Sequence, residues 1–401
     1  MTFTSPELDR LLSPMAGDEF FATHWERKHL LLGGRDASYY DALITVADLE
    51  RIISNSDVRY PAIQLAKEGG YLPPSTFTQA VKPGGESLAG LPDARKVMDE
   101  YRRGASIALS AIQKTWPPLG AFCATLETLL DHAVHANAYI TPGNADGFTA
   151  HYDVHEVFVL QIAGSKRWRL YPPAVQLPYR TQLCTPQTYS GQAPMTEIEL
   201  QAGDLLYLPR GVGHSTTTSD SFSAHVTIGV TVHTWVDLIR ECLQTTIDQV
   251  ELRRALPPGF ANRGEVTPLL RKTLGDALTK LGQEIDMDAL LGSFASRVRA
   301  SHPPMPEPFQ ADVATAIDWE SVLTVPPVGS YGFSETSEGV VLDFDGRRYQ
   351  FPGMVASTMH AMIALQSFRT ADLQAPLQHE VKLGLSRHLH EIGFLRCAAI
   401  R

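Results

Sequence analysis

The sequence predicts an α+β chain in which a small barrel of short β-strands comes first, a helical segment follows, and a domain mixing helices with a hairpin ends the chain. Three observations predict this order. Up to about residue 235, short alternating stretches stand between glycines and prolines, the pattern of a sandwich or barrel. From residue 236 the apolar positions recur at helical spacing instead. Beyond a proline-rich stretch, residues 310–401 show both periods.

The strands of the first part are Asn137 to Ile140, Ala150 to Ile162, Arg167 to Tyr171, Asp204 to Pro209 and Ser223 to Val232, with Gly164-Ser165 read as a turn. Val236, Ile239, Leu243, Ile247 and Val250 then form one face of a helix that Pro257-Pro258-Gly259 stops. Leu270, Leu274, Leu278 and Leu281 mark a second helix. Two amphipathic helices need cover for their apolar stripes, either on their own chain or in a dimer. Ser301 to Pro308, polar and proline-rich, reads as a linker. In the last part, Val340 to Phe351 carries the hairpin signal Asp345-Gly346. Helical patterns follow at Val355 to Gln366 and Glu380 to Ile392, with Gly393 as C-cap. Helices plus a hairpin in this length resemble a winged helix. The expected domains are therefore residues 1–235, 236–309 and 310–401.

Composition narrows the function. A length of 401 residues suits two or three domains, and 44% hydrophobic with 19% charged residues is ordinary for a globular protein. The net charge of −10 argues against broad binding to nucleic acid or anionic membrane. Residues 310–401 hold ten acidic and seven basic residues, so DNA binding by a winged helix there is not expected either. Cys123, Cys184, Cys242 and Cys397 lack any paired spacing, which fits a reducing compartment. The first residues do not read as a signal peptide, and no stretch approaches the ~20 apolar residues that span a bilayer. A soluble, cytoplasmic protein is the expectation.

The chemistry lies in two segments. His151-Tyr152-Asp153 within a strand would project His151 and Asp153 to one side, two thirds of the two-histidine, one-carboxylate set that holds Fe(II) with open positions. Downstream, Gly203 to His214 matches the second cupin signature, Gly-x5-Pro-x-Gly-x2-His, at every fixed position. Gly203 leads into a strand, Pro209 and Gly211 make a corner, and His214 emerges on the next strand. Its separation of 63 residues from His151 suggests opposite strands of a double-stranded β-helix, the cupin or jelly-roll barrel. Metal binding by His151, Asp153 and His214 follows. Lys166 shares a face with Trp168 and Leu170. If that face is the core, the lysine requires an anion, and a dicarboxylate cosubstrate would supply one; with the faces reversed it is solvated. Glu156 has the wrong parity for a ligand. His155 reads as a structural or substrate-side histidine, and His132, His135, His225 and His233 as structural ones.

These segments resemble the JmjC-type 2-oxoglutarate/Fe(II) oxygenases of the cupin superfamily, in particular the ribosomal oxygenase branch. The likeness rests on Asn137-Ala-Tyr139, His151-Tyr-Asp153, Glu156 through Tyr171, Leu208 through His214 and Ser223 through Gly229. Phe20 to Leu30 resembles the family's opening motif. The resemblance implies a hydroxylase using Fe(II), 2-oxoglutarate and O2 on a protein or peptide substrate, such as a histidine or arginine of a ribosomal protein. It also implies that Lys166 binds the distal carboxylate of 2-oxoglutarate and that Asn137 and Tyr139 line the cosubstrate or substrate pocket. A JmjC catalytic domain, a helical homodimerisation segment and a winged helix complete the implied architecture. One departure stands out: the family usually places a second acid after the metal aspartate, where this chain has Val154-His155. Three other uses of the scaffold remain open: an oxygenase of small molecules or modified peptides, a ligand-sensing winged-helix regulator, and a cupin that uses its metal without 2-oxoglutarate, as an isomerase or a different dioxygenase.

Overall fold

The computed structural model describes residues 5–55, 58–81, 88–145, 147–244, 247, 250, 252–262, 267–302, 317–326, 330–337, 339–345, 347–374 and 376–397. The chain forms two compact units, residues 1–232 and 233–401.

The first unit is built on an antiparallel sheet. Its strands are β1 (Leu30–Leu32), β2 (Ile63–Lys67), β3 (Ser106–Leu109), β4 (Ala133–Thr141), β5 (Glu156–Tyr171), β6 (Thr196–Gln201), β7 (Leu205–Leu208), β8 (Gly213–Thr217) and β9 (Ser223–Thr231). Their order runs β1-β7-β5-β9-β4-β3-β2, with β6 and β8 also paired to β5. The long strand β5 is the hinge of the architecture. Its first half pairs with β7 and β9, and its second half, from Ser165 onward, pairs with β6 and β8. One strand thus serves both walls of the barrel.

Gly164-Ser165, expected as a turn, lies inside β5. The strand bends there without reversing. Gly164 has φ +63°, and a Cβ on it would lie 1.9 Å from the carbonyl oxygen of Phe222, so only glycine lets the neighbouring chain approach. A register shift in the ladder with β9 between Ala224 and His225 adds to the bend.

Alternation along β4 sorts the two sides of the wall. Val134, Ala136, Ala138 and Ile140 are buried in the core shared with Phe122 and Leu126 of the helix α1 (Pro117–Leu130). His135, Asn137 and Tyr139 take the other parity, toward the barrel interior. A second core fills the barrel with Val157, Val159, Trp168, Leu170, Leu200, Leu206 and Leu208. Trp168 and Leu170 are therefore inward, as is Lys166, which is 3% exposed.

Glu156, which alternates with the inward Val157 and precedes the irregularity that switches the faces of β5, is fully buried on the other side against Tyr207 and Arg210. Arg210 Nη1 donates to Glu156 at 2.8 Å and also pairs with Glu26 of the opening motif. The corner after β7 is thereby tied to the start of the chain. Burial raises the Glu156 carboxyl above its usual range, partly offset by Tyr207 and Arg210.

The second unit begins with helices α2 (Trp235–Gln244), α3 (Thr267–Glu284) and α4 (Met287–Ser301). Val236, Ile239 and Leu243 are 45%, 58% and 44% exposed, and Trp235 is 80% exposed. On α3, Leu281 is buried whereas Leu274 and Leu278 stand in solvent. Most of the expected linker, residues 303–308, lies outside the described residues. Two three-stranded sheets follow. Strands β11 (Tyr331–Thr336), β12 (Gly339–Phe344) and β13 (Arg347–Phe351) form one. Strands β10 (Val322–Thr324), β14 (Ser367–Arg369) and β15 (Arg396–Cys397) form the other, with α5 (Ala356–Leu365) and α6 (His379–Glu391). Asp345 takes φ +50° between β12 and β13; Gly346 lies outside the described residues. The core here is Leu323, Val340, Leu342, Met359, Met362, Leu389 and Phe394. No described helix is long and apolar enough to cross a membrane.

Candidate metal centre

His151, Asp153 and His214 come together, each offering a ligand atom within 4.8 Å of the others. The route differs from the expected one. The strand read from His151 to Phe158 starts only at Glu156. His151 makes an isolated antiparallel bridge to His214, with N–H···O distances of 3.0 and 2.7 Å in the two directions. The two histidines are thus direct neighbours, not residues of opposite strands.

The chain leaves the ladder at Tyr152 because other partners claim it. The Tyr152 ring packs with Tyr171 and Tyr189, and its hydroxyl donates to the Gln182 carbonyl at 2.9 Å. The Asp153 carbonyl accepts the Gly211 N–H at 2.9 Å. The loop and the Pro209–Gly211 corner hold each other, which carries Asp153 to the histidines. Gly211 has φ +90°, and a Cβ there would meet the Val175 carbonyl oxygen at 2.3 Å, so the corner requires glycine.

Both imidazoles are oriented by backbone. The Nδ1 of His151 lies 2.7 Å from the Thr149 carbonyl oxygen, and that of His214 lies 3.2 Å from the Val212 carbonyl oxygen. A carbonyl only accepts, so each Nδ1 carries the proton and each Nε2 presents its lone pair. His214 Nε2 is 3.7 Å from Asp153 Oδ2. Burial and the neighbouring His151 pull the His214 imidazolium down to about 4, against the opposing pull of Asp153. Burial pushes the Asp153 carboxyl up, but His214, His155, His151 and His135 together bring it below its usual value. Near neutral pH His214 is a neutral imidazole and Asp153 a carboxylate, the forms that bind a metal.

A cavity of about 180 Å³ opens from these residues into the barrel. Asn137, Tyr139 and Lys166 line it, as the sequence reading placed them. Lys166 Nζ donates to Thr141 Oγ1 at 3.0 Å, and burial alone draws the ammonium down to about 7. Asn137 is fixed by accepting the Ala111 N–H at 3.0 Å. Tyr139 stacks on His225 with ring centroids 5.0 Å apart.

Cavity residues that the sequence reading did not place there include Ser106, Thr141 and His225, and His155, read as structural or substrate-side, also lies on the wall. Their signal was present in the alternation. Thr141 follows Asn137 and Tyr139 at the same parity on β4, and His225 shares parity with Thr227 on β9. His155 meets His135 edge to face at 4.8 Å, above a strand position where Gly229 has no side chain. A Cβ on Gly229 would lie 2.4 Å from His135 and 2.8 Å from His155. His132 stacks near Trp25 and His233 packs on Phe294, away from the centre.

Comparison with known proteins agrees with this geometry. The family model described as JmjC domain matches residues 114–238, the stretch that carries all three candidate ligands. Residues 114–238 belong to the JmjC domain family. The chain is 32% identical over 261 residues to ribosomal oxygenase 1 of Gallus gallus, covering 62% of this chain and 41% of that protein. It is 28% identical over 404 residues to the bifunctional lysine-specific demethylase and histidyl-hydroxylase NO66 of Drosophila erecta, covering 97% of this chain and 58% of that one. The chain thus spans about two fifths to three fifths of the length of these curated relatives. Among solved structures, the Escherichia coli ribosomal oxygenase YcfD in complex with cobalt and 2-oxoglutarate superposes with a TM-score of 0.53 at 16% identity. That likeness covers 96% of this chain and 99% of that one, so the likeness in fold takes in residues of both units.

Proposed function

We propose that this chain is an Fe(II)- and 2-oxoglutarate-dependent hydroxylase of a protein side chain, a histidine or arginine of a ribosomal protein. One observation carries the reading. A two-histidine, one-carboxylate donor set, with both Nε2 atoms free, stands at the wall of a cavity that also holds a buried lysine. The donor set fits Fe(II) because it occupies one face and leaves the other to exogenous ligands. The lysine fits an anionic cosubstrate, because no carboxylate among the described residues pairs with it and a buried cation needs one.

When bound, Fe(II) and 2-oxoglutarate would supply oxidative decarboxylation of the 2-oxoacid, with O2, coupled to hydroxylation of a C–H bond. The chain's own residues do the positioning. Thr149 and Val212 carbonyls hold the two imidazoles, and the Gly211 N–H holds the Asp153 backbone. Lys166, braced by Thr141, takes the distal carboxylate. Asn137 and Tyr139 line the space between it and the metal ligands, and Val157 and Trp168 exclude water from the barrel floor. The ribosomal substrate is supported by the names of the relatives.

The rest of the molecule suggests its assembly. The exposed stripe of Trp235, Val236, Ile239 and Leu243 supports a homodimer formed through residues 236–309. Residues 310–401 would form a winged-helix-like domain with a protein-binding or structural role. The unpaired spacing of Cys123, Cys184, Cys242 and Cys397 in the sequence supports a cytoplasmic setting.

The test is turnover of 2-oxoglutarate to succinate by anaerobically purified protein given Fe(II) and then O2. Succinate formed by the wild type and lost in His214→Ala is expected. No succinate, together with no 2-oxoglutarate binding by calorimetry, would sink the reading.

A further inference from the structure

The cavity contains more hydrogen-bond donors than the metal centre and Lys166 account for. Thr141 Oγ1 accepts from Lys166 Nζ and from Ser106 Oγ, each at 3.0 Å. With both lone pairs taken, its own O–H has to donate elsewhere. The Trp168 Nε1, a donor only, is buried with no acceptor, and the Nδ1 of His225 is likewise buried without a partner. Trp168 and His225 are each 3% exposed, stand edge to face at 5.5 Å, and line the same cavity as Lys166. Buried polar groups without partners are rare, and two of them on residues that line one small cavity are an observation that needs a cause.

We infer that His225, with Trp168 beside it, completes with Lys166 and Thr141 the cradle for the distal carboxylate of the cosubstrate. The inference rests on the reading of the site as a 2-oxoglutarate site and adds to it a residue that orients the carboxylate. The chemistry is matched. A carboxylate offers about four lone-pair sites, and a single ammonium satisfies one or two of them. The His225 ring is fixed in place, since Tyr139 covers one of its faces with only 16° between the planes. Its strand is fixed in the middle of the sheet between β4 and β5. The register shift beside His225 sets it opposite both Tyr139 and Gln161.

The test separates the distal carboxylate from the rest of the ligand. Mn(II)-loaded protein is titrated anaerobically by calorimetry with 2-oxoglutarate and with 2-oxobutyrate, which shares the 2-oxoacid head and lacks the distal carboxylate. His225→Phe keeps a ring on Tyr139 and removes both nitrogens; His225→Gln keeps a donor. His225→Phe should weaken 2-oxoglutarate by about tenfold to a hundredfold, the size of a hydrogen bond to a charged group, with 2-oxobutyrate changed less than about twofold. His225→Gln should recover part of the loss. Unchanged 2-oxoglutarate binding, or equal loss of both ligands in the two variants, overturns the role of His225 while leaving the cosubstrate reading intact. Wild-type protein that binds 2-oxobutyrate as tightly as 2-oxoglutarate overturns both.

Discussion

Two buried charges in the barrel wall behave in opposite ways. Glu156 on the outer side is fully buried, but Arg210 and Tyr207 hydrogen-bond it, and Arg210 reaches on to Glu26. Lys166 on the inner side is as deeply buried and has one neutral partner, the Thr141 hydroxyl. The two lie on one strand, ten residues apart. The difference teaches what each is for. A buried charge closed by protein partners fixes the fold, because breaking one partner strands the other. A buried charge left open toward a cavity is a cost to the fold that a ligand is there to offset.

The comparison is tested most severely by removing Arg210. Arg210→Ala leaves the Glu156 carboxylate uncompensated, and a loss of about 3–5 kcal/mol is expected in urea unfolding. Metal and 2-oxoglutarate affinities of the folded fraction should stay near wild type. A variant of normal stability would mean that the cluster is decorative. Lys166→Met removes the inner charge and should do the reverse. The isosteric apolar side chain should leave stability unchanged or raise it, while 2-oxoglutarate affinity falls by about 2–5 kcal/mol, the loss of a buried charged partner. Equal thermal midpoints and equal affinities in the two proteins would remove Lys166 from the site.

How much of this the sequence carried depends on whether a feature is local. The candidate ligand His214 was legible because the Gly203–His214 corner is written in consecutive residues whose backbone demands are specific, Gly211 at φ +90° above all. That Lys166 shares a face with Trp168 and Leu170 was legible from alternation, but that this face points inward was decided only by the burial of all three. The continuity of β5 was not legible. Gly164-Ser165 has turn chemistry, and only the ladders with β6, β8 and β9 carry the strand through it without a reversal. Nor was the exit of Tyr152 from the ladder legible, since it depends on Tyr171, Tyr189 and Gln182, partners distant in sequence. The place of His225 on the cavity wall was hidden for a related reason. A lone histidine in an apolar strand is usually structural, and the missing partner of its Nδ1 appears only when the whole cavity is assembled.

The smallest effect sharpens the same contrast through pH. Lys166 in the folded protein loses its proton near 7, whereas an unfolded lysine does so near about 10.4. Between those values the unfolded chain binds the extra proton, so stability rises with pH from about 7 to 10, by up to about 1.4 kcal/mol per unit. Below 7 both states are charged and the full cost of burial is present. Binding of the cosubstrate runs the other way, because its carboxylate needs the ammonium. Affinity for 2-oxoglutarate should be flat below about 7 and fall by up to tenfold per unit above it. His214, with its imidazolium near 4, is neutral throughout this window and does not disturb the slope. Opposite slopes of the thermal midpoint and of 2-oxoglutarate affinity from pH 7 to 9, both flattened in Lys166→Met, are the expected result. Parallel slopes would assign the titration to another group and leave Lys166 charged by a partner of its own.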